Sequence, residues 1–308
     1  MKQKWKVGTR KSLLARAQTQ WVIRQLKKIF SSIEVEEVLV ETQGDKILGT
    51  PLYEIGDKGL FTKELDKALL EGVIDFAVHS LKDLPTQLPD GLVLAAVTER
   101  KNPQDVMVSH KWKSLEEVPQ GGKIGTGSLR RKAQLLWYRH DLQIQELRGN
   151  IDTRLRKLEE NDWDAIILAG CGLERGGYQN RITHWIPMDI IVPAVGQGSL
   201  GVVARRDDQE TLKLLEKIDH GPSRICIETE RSFLAAVQGG CQVPVAAYAE
   251  LSQDTIICKA LVATRDGTKR VYKEGSAKAE KRQELGEDLA KWILQNGGQD
   301  ILAEYLTS

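Results

Sequence analysis

Apolar positions in the first two-thirds of the chain alternate between short continuous runs and sets spaced as on a helix face, a pattern that predicts α/β structure with mostly parallel strands. Trp5-Lys6-Val7-Gly8 reads as a first strand, and Ser12 opens a helix carrying Leu13, Leu14, Ala17 and Trp21. Residues 35–40 form a second strand, after which Gly44, Gly49, Pro51, Gly56 and Gly59 punctuate a long loop. With many glycines and few apolar residues to pack it, the loop from Gly44 to Gly59 is expected to act as a mobile lid. Phe61, Leu65, Ala68 and Leu69 then fall on one helix face, and that helix is expected to stop near Gly72. Residues 74–78 read as a buried strand that delivers His79-Ser80-Leu81-Lys82-Asp83-Leu84-Pro85 at its end.

Asn102-Pro103 marks a candidate domain crossing, because a residue before proline is biased toward extended geometry. A second α/β series follows, with strands near residues 123–125, 143–147 and 165–168, each leading into a helical stretch. Ile191-Val192-Pro193 is a plausible return crossing, and residues 201–204 read as one more strand. Beyond Gly221-Pro222 the pattern changes to one long helix, strands around Tyr248, Ile256 and Val271, and terminal helices, which suggests a separate α+β domain.

Composition narrows the classes. At 308 residues the chain suits two or three domains, and a formal charge of +1 argues against a nucleic-acid scaffold. Lys2, Lys4, Lys6, Arg10, Lys11 and Arg16 interrupt any early apolar run, so neither a signal peptide nor a membrane span is expected and the cytoplasm is the default location. Cys171, Cys226, Cys241 and Cys258 include no C-x-x-C pair and are expected as thiols. The histidines show no ligand spacing, so no metal site is expected. Gly196-Gln197-Gly198 lacks the Lys-Ser/Thr of a phosphate loop, and a nucleotide is not indicated.

Candidate chemistry gathers at strand-to-helix turns. Thr9-Arg10-Lys11-Ser12, Thr126-Gly127-Ser128-Leu129-Arg130-Arg131 and Arg148-Gly149-Asn150-Ile151-Asp152-Thr153-Arg154 each join hydroxyl or amide side chains to arginine at a helix start. Unpaired backbone N–H groups and the helix dipole make such turns anion receptors, and arginine adds bidentate carboxylate recognition. Taken singly, each turn also reads as an ordinary N-cap beside a solvated arginine. Together they point to a small polyanion bound at the C-terminal ends of strands.

Asp83 is a lone carboxylate among these cations, suited to stabilising positive charge or moving a proton; an ion pair with Lys82 is the plainer reading. His79 reads as a core or hinge residue rather than a base. Cys241 lies in Gly239-Gly240-Cys241-Gln242-Val243-Pro244, where paired glycines end a helix and leave the sulfur on a loop, reactive or merely structural.

The ordered set of segments resembles the porphobilinogen deaminase family over nearly the whole chain. It comprises Thr9-Arg10-Lys11-Ser12-Leu13-Leu14-Ala15, Gly44-Asp45, Lys58-Gly59-Leu60-Phe61, His79 to Pro85, Gly125 to Arg131, Leu147 to Asn150, Thr153-Arg154-Leu155, Pro193 to Gly198 and Gly239 to Pro244. The resemblance implies two α/β lobes similar to type II periplasmic binding proteins plus a smaller α+β C-terminal domain. Residues 1–100 with 196–218 would form domain 1, residues 101–195 domain 2, and residues 219–308 domain 3.

It further implies a dipyrromethane held through a thioether at Cys241, with Asp83 facing pyrrole N–H groups as the catalytic carboxylate. Ser80, Lys82, Thr126, Ser128, Arg130 and Arg131 would bind this cofactor, while Arg10, Ser12, Lys58, Arg148, Arg154, Arg175 and Gln197 would serve porphobilinogen and the growing polypyrrole chain. The implied enzyme joins porphobilinogen units head-to-tail into hydroxymethylbilane, as a cytoplasmic monomer with no nucleic-acid or membrane partner. The loop before Lys58 reads Tyr53-Glu54-Ile55-Gly56-Asp57, without the extra basic residue of some relatives. Two other classes compete: a non-catalytic organic-anion binder on the same scaffold, which gives the cysteine-bearing domain no role, and a cysteine acyltransferase, which lacks a histidine partner for Cys241.

Overall fold

The computed structural model describes residues 2, 4–42, 59, 62–238 and 243–306. Apart from Gly59, the expected lid with Lys58 lies outside the described residues, as do Cys241 and its neighbours Gly239, Gly240 and Gln242.

In chain order the elements begin with β1 (Lys4–Arg10), α1 (Leu13–Ile29), β2 (Glu34–Val40), α2 (Lys63–Leu70), β3 (Phe76–Ser80) and β4 (Leu92–Val97). They continue with β5 (Asp105–Val108), β6 (Lys123–Gly125), α3 (Leu129–Tyr138), β7 (Gln143–Gln145), α4 (Ile151–Glu160), β8 (Ala165–Ala169), α5 (Gly170–Gly176) and β9 (His184–Trp185). The last are β10 (Leu200–Arg205), α6 (Gln209–Glu216), α7 (Gly221–Ala236), β11 (Val245–Ser252), β12 (Thr255–Ala263), β13 (Arg270–Lys278), α8 (Arg282–Ile293) and α9 (Gln299–Leu306).

The chain changes compact unit between Lys101 and Asn102, between Gln197 and Gly198, and between Arg224 and Ile225. In the first unit a sheet runs β2-β1-β3-β10-β4, with β1 parallel to β2 and β3, and β10 antiparallel to both β3 and β4. In the second a sheet runs β7-β6-β8-β5-β9, with β6 parallel to β7 and β8, and β5 antiparallel to β8 and β9. The two sheets therefore repeat one order, an antiparallel fourth strand inserted beside the third. The expected preponderance of parallel strands holds in both sheets, with only β10 in the first and β5 in the second running against the rest. Leu92–Val97, Asp105–Val108 and the short His184–Trp185 were not legible as strands, and of these three only Asp105–Val108 runs against the rest of its sheet.

Local rules place most of the rest. Helix α1 buries Ala15, Gln18, Thr19, Val22, Ile23 and Leu26, a helix-spaced face that closes over Trp5, Val7, Phe76 and Val202. Each fully buried Leu or Val on it contributes roughly 1.5–3 kcal/mol. Helix α2 approaches β1 closely at Gly8, where a Cβ would stand 2.3 Å from Ile74 Cδ1 and 2.8 Å from Leu65 Cδ2. The expected stop at Gly72 is a left-handed residue with φ of 71°.

The return between units falls later than Ile191-Val192-Pro193. Val192 is held in the second unit by Gln134, whose Oε1 accepts from Val192 N at 2.8 Å and whose Nε2 donates to Val192 O at 3.1 Å. Within this unit Ala133 and Val192 pack with Ala246, Leu261 and Ala263, which seats the three-stranded sheet β11-β12-β13 beside α3. A larger apolar cluster lies under that sheet, combining Phe233, Ile256, Val262, Leu285, Leu289 and Ile293 among others.

Candidate active site

Each unit gathers polar side chains at the C-terminal ends of its parallel strands. In the first unit, Ser12 is the N-cap of α1, with φ of −63° and ψ of 144°, and its side chain accepts from Ala15 N at 3.3 Å. No acidic residue stands in the first turn of α1 to offset its positive end, which follows Arg10 in the chain. Strand β3 is parallel to β1, with Val7 paired to Phe76 and Gly8 to Ala77, and so its end lies level with Arg10. There Leu81 and Leu84 are buried while Asp83 is exposed and Lys82 half-buried. The two apolar anchors of a short 3-10 turn thus direct the intervening charged residues outward. Ser80 Oγ accepts from Gln18 Nε2 at 2.7 Å, and Leu81 N donates to Ser199 O at 3.1 Å. Gln18 is buried and was not singled out from sequence; its signal was an amide on the apolar face of an amphipathic helix.

His79 sits behind this turn at 6% exposure, and its Nε2 has no hydrogen-bond partner among the described residues. Burial, with the Arg10 charge adding to it, pushes its pKa down to about 4. It is neutral at pH 7 and acts as a core residue. The unfolded chain takes up this proton near the ordinary value of 6.5 while the native state does not until about 4. Stability is accordingly at its full value above pH 6.5 and falls as the pH drops toward 4, by about 3 kcal/mol from this group. Denaturant titrations between pH 7 and 4.5 are expected to show that decline in the wild type and a flatter profile in His79→Gln; parallel profiles would rule His79 out as the source.

In the second unit β6 leads into Thr126-Gly127-Ser128 at the start of α3. Thr126 N donates to Gln145 O at 2.9 Å, Thr126 Oγ1 accepts from Ser128 N at 3.3 Å, and the N-cap Ser128 accepts from Arg131 N at 3.4 Å. Gly127 is required, since a Cβ there would lie 2.5 Å from the Leu147 carbonyl oxygen. Because β5 runs antiparallel, its first residue Asp105 lies opposite Ala169 at the end of β8 and meets the arginines of α3.

Asp105 is fully buried, and Arg130 and Arg131 are 6% and 5% exposed. Asp105 Oδ1 accepts from Arg131 Nε at 3.1 Å, Arg131 Nη2 at 2.8 Å and Gln197 Nε2 at 2.9 Å, while Oδ2 lies 2.8 Å from Arg130 Nη2. Arg130 Nη1 donates to Val192 O at 2.7 Å and Arg131 Nη1 to Ile167 O at 3.2 Å. Burial alone raises the Asp105 pKa; the two guanidiniums and the hydrogen bonds from Arg131 and Gln197 outweigh it and hold the carboxyl well below the usual range. Sequence reasoning missed Asp105. Its signal was one acid at the head of the apolar run Val106-Met107-Val108.

The third turn is capped by Asn150, whose side chain accepts from Thr153 N at 2.9 Å, while Arg154 Nε donates back to Gly149 O at 2.7 Å. Gly149 has φ of 113°, a conformation that favours glycine. Asp152, in the first turn of α4, accepts a hydrogen bond from the Tyr178 hydroxyl. Arg148 Nη1 is buried without a hydrogen-bond partner among the described residues. Burial lowers the pKa of Arg175 on α5. Glu146 lies beside these cations; burial raises its pKa, against the opposing pull of Arg148, Lys132, Arg154 and Lys157.

The structure therefore brings Arg10, Ser12, Ser80, Lys82 and Asp83 to one end of the first sheet. It brings Thr126, Ser128, Arg130, Arg131 and Gln197 together in the second unit, where Arg148 and Arg154 belong to the neighbouring turn. Lys58 and Cys241 lie outside the described residues. Cys171, Cys226 and Cys258 are all buried. Among the described residues no cluster of His, Cys, Asp or Glu is suited to a metal ion, and no helix is long and apolar enough to cross a membrane.

Fold and side chains define an α/β protein with an α+β C-terminal domain and with cationic and hydroxyl side chains gathered at the ends of its parallel strands. Residues 5–213 match the family model for the porphobilinogen deaminase dipyrromethane cofactor binding domain, and residues 224–295 match that for the porphobilinogen deaminase C-terminal domain. The chain is 48% identical over 304 residues to the porphobilinogen deaminase of Brevibacillus brevis, covering 98% of each chain. It is 51% identical over 302 residues to that of Pelotomaculum thermopropionicum, covering 98% of this chain and 97% of the relative. Similar solved structures include a periplasmic substrate-binding protein of an ABC transporter from Coxiella burnetii, with TM-score 0.45, 18% identity and coverage of 71% of this chain and 93% of that one. The methionine-binding protein MetQ has TM-score 0.43 and 18% identity, over 70% of this chain and 89% of that one. The chain belongs to the porphobilinogen deaminase family, enzymes that polymerise porphobilinogen in tetrapyrrole biosynthesis.

Proposed function

We propose that this chain carries its dipyrromethane through a thioether at Cys241 and, as a cytoplasmic monomer, adds four porphobilinogen molecules in turn to make hydroxymethylbilane. The burial of the other three cysteines carries the anchor assignment, because a sulfur sealed in a core does not reach an incoming electrophile. The donor set also fits the group. A guanidinium has five N–H donors, and the internal contacts of Arg130 and Arg131 leave some of these for ligand carboxylates. Ser80, Lys82, Thr126, Ser128, Arg130 and Arg131 would hold the dipyrromethane. When bound, it supplies a nucleophilic unsubstituted α-carbon on its terminal ring.

Arg10, Ser12, Lys58, Arg148, Arg154, Arg175 and Gln197 would take the acetate and propionate of incoming porphobilinogen. Breaking the bond between its aminomethyl carbon and nitrogen releases ammonia and leaves an azafulvene whose positive charge is shared with the ring nitrogen. Asp83, which faces outward, would accept a hydrogen bond from that N–H and stabilise the cation. After the new carbon–carbon bond forms, the α-proton leaves and the ring regains aromaticity. Exclusion of an organic-anion binder rests on one observation: an intact-protein mass spectrum is expected to show the chain heavier by two condensed pyrroles, and adding porphobilinogen is expected to release hydroxymethylbilane and ammonia. A folded, unmodified chain without turnover would overturn the proposal.

A further inference from the structure

We propose that Asp105 is a positioning residue that holds Arg130 and Arg131 as a single receptor for one carboxylate. This rests on the reading that those arginines hold the primer. Among the described residues two cations and one anion share the buried site, Asp105 lying 2.8 Å from both Arg130 Nη2 and Arg131 Nη2. The group therefore keeps one surplus positive charge in an interior where an unmatched charge is costly. A purely structural ion pair would balance itself. This one is completed by a single external carboxylate.

The contacts divide the labour. Arg131 is fastened at all of its guanidinium nitrogens, by Nε and Nη2 on Asp105 Oδ1 and by Nη1 on Ile167 O. Arg130 is held at two of its nitrogens, Nη1 on Val192 O at 2.7 Å and Nη2 at 2.8 Å from Asp105 Oδ2. Arg131 thus keeps the aspartate in place, while Arg130 retains more of its donor capacity for a ligand. Gln197 sets the remaining side of Oδ1, donating to it at 2.9 Å and to Pro103 O at 2.6 Å. The crossing segment at Pro103, the return segment at Gln197 and the start of α3 are thereby tied to one carboxylate, which explains why an acid stands at the head of an otherwise apolar strand.

The test measures how fast apoprotein gains the mass of two pyrroles on addition of porphobilinogen, with folding verified by the thermal transition. Asp105→Glu keeps the charge and shifts its reach by one methylene. It is expected to fold yet load at least ~10-fold more slowly, because misaligned guanidiniums lose the oriented contact to the carboxylate. Asp105→Asn is expected to be slower still. In the loaded fraction of either variant, kcat for porphobilinogen is expected to fall less than the loading rate does, a split that general destabilisation does not produce. Gln197→Ala leaves the charge untouched and is expected to slow loading several-fold; it decides the question if both Asp105 variants fail to fold. Wild-type loading in a folded Asp105 variant, or in Gln197→Ala when it alone folds, overturns the proposal. If Arg130→Gln and Arg131→Gln themselves load normally, the underlying assignment of the primer site fails instead.

Discussion

Asp83→Asn is expected to lower the rate of porphobilinogen addition by ~100-fold, equivalent to about 3 kcal/mol of transition-state stabilisation. Asn keeps the shape and one acceptor oxygen but removes the charge. The flanking Leu81 and Leu84 stay buried and the Asp83 side chain faces outward, so the turn survives the substitution and the loss belongs to chemistry rather than folding. Asp83→Glu retains the charge at longer reach and is expected to fall between the two. Rapid-quench single turnovers on loaded enzyme read the step directly. Wild-type rates in the Asn variant would remove Asp83 from the role of key carboxylate.

Cys241→Ala is expected to have the larger effect, a chain with the unmodified sequence mass and no detectable turnover. An alanine offers no sulfur for a thioether, and none of the three remaining thiols is exposed to replace it, at 4%, 7% and 0% for Cys171, Cys226 and Cys258. Alanine at those three positions is expected to cost packing stability, on the order of 1 kcal/mol each, while the adduct and turnover persist. Peptide mapping of the wild-type adduct gives the decisive result. A pyrrole mass on any cysteine other than Cys241 would refute the anchor.

The two outcomes are separable. A chain lacking Cys241 fails before the first addition, whereas one lacking the Asp83 charge is expected to carry its pyrroles and stall at each addition. Mass spectra of the two variants taken before substrate is added therefore distinguish anchoring from catalysis without reference to rate.

The sequence by itself determined the features whose physics is local. Ser12, Ser128 and Asn150 are the N-caps expected from their place before helix-spaced apolar residues, because a cap is settled by one side-chain oxygen and the backbone N–H three residues on. Gly72 ends its helix, and Leu81 and Leu84 turn Asp83 outward, for reasons contained within a few residues. The set of cationic turns and the family it marks were equally legible. Only the tertiary structure decided what the charges meet. Asp105 and Arg131 stand far apart in the chain and meet because β5 enters antiparallel beside β8, which puts the head of β5 where α3 begins. No local pattern encodes that strand order. His79 is likewise neutral because the strands on either side of β3 and the helix over it remove it from water, and the shift of its pKa to about 4 exists only in the assembled core.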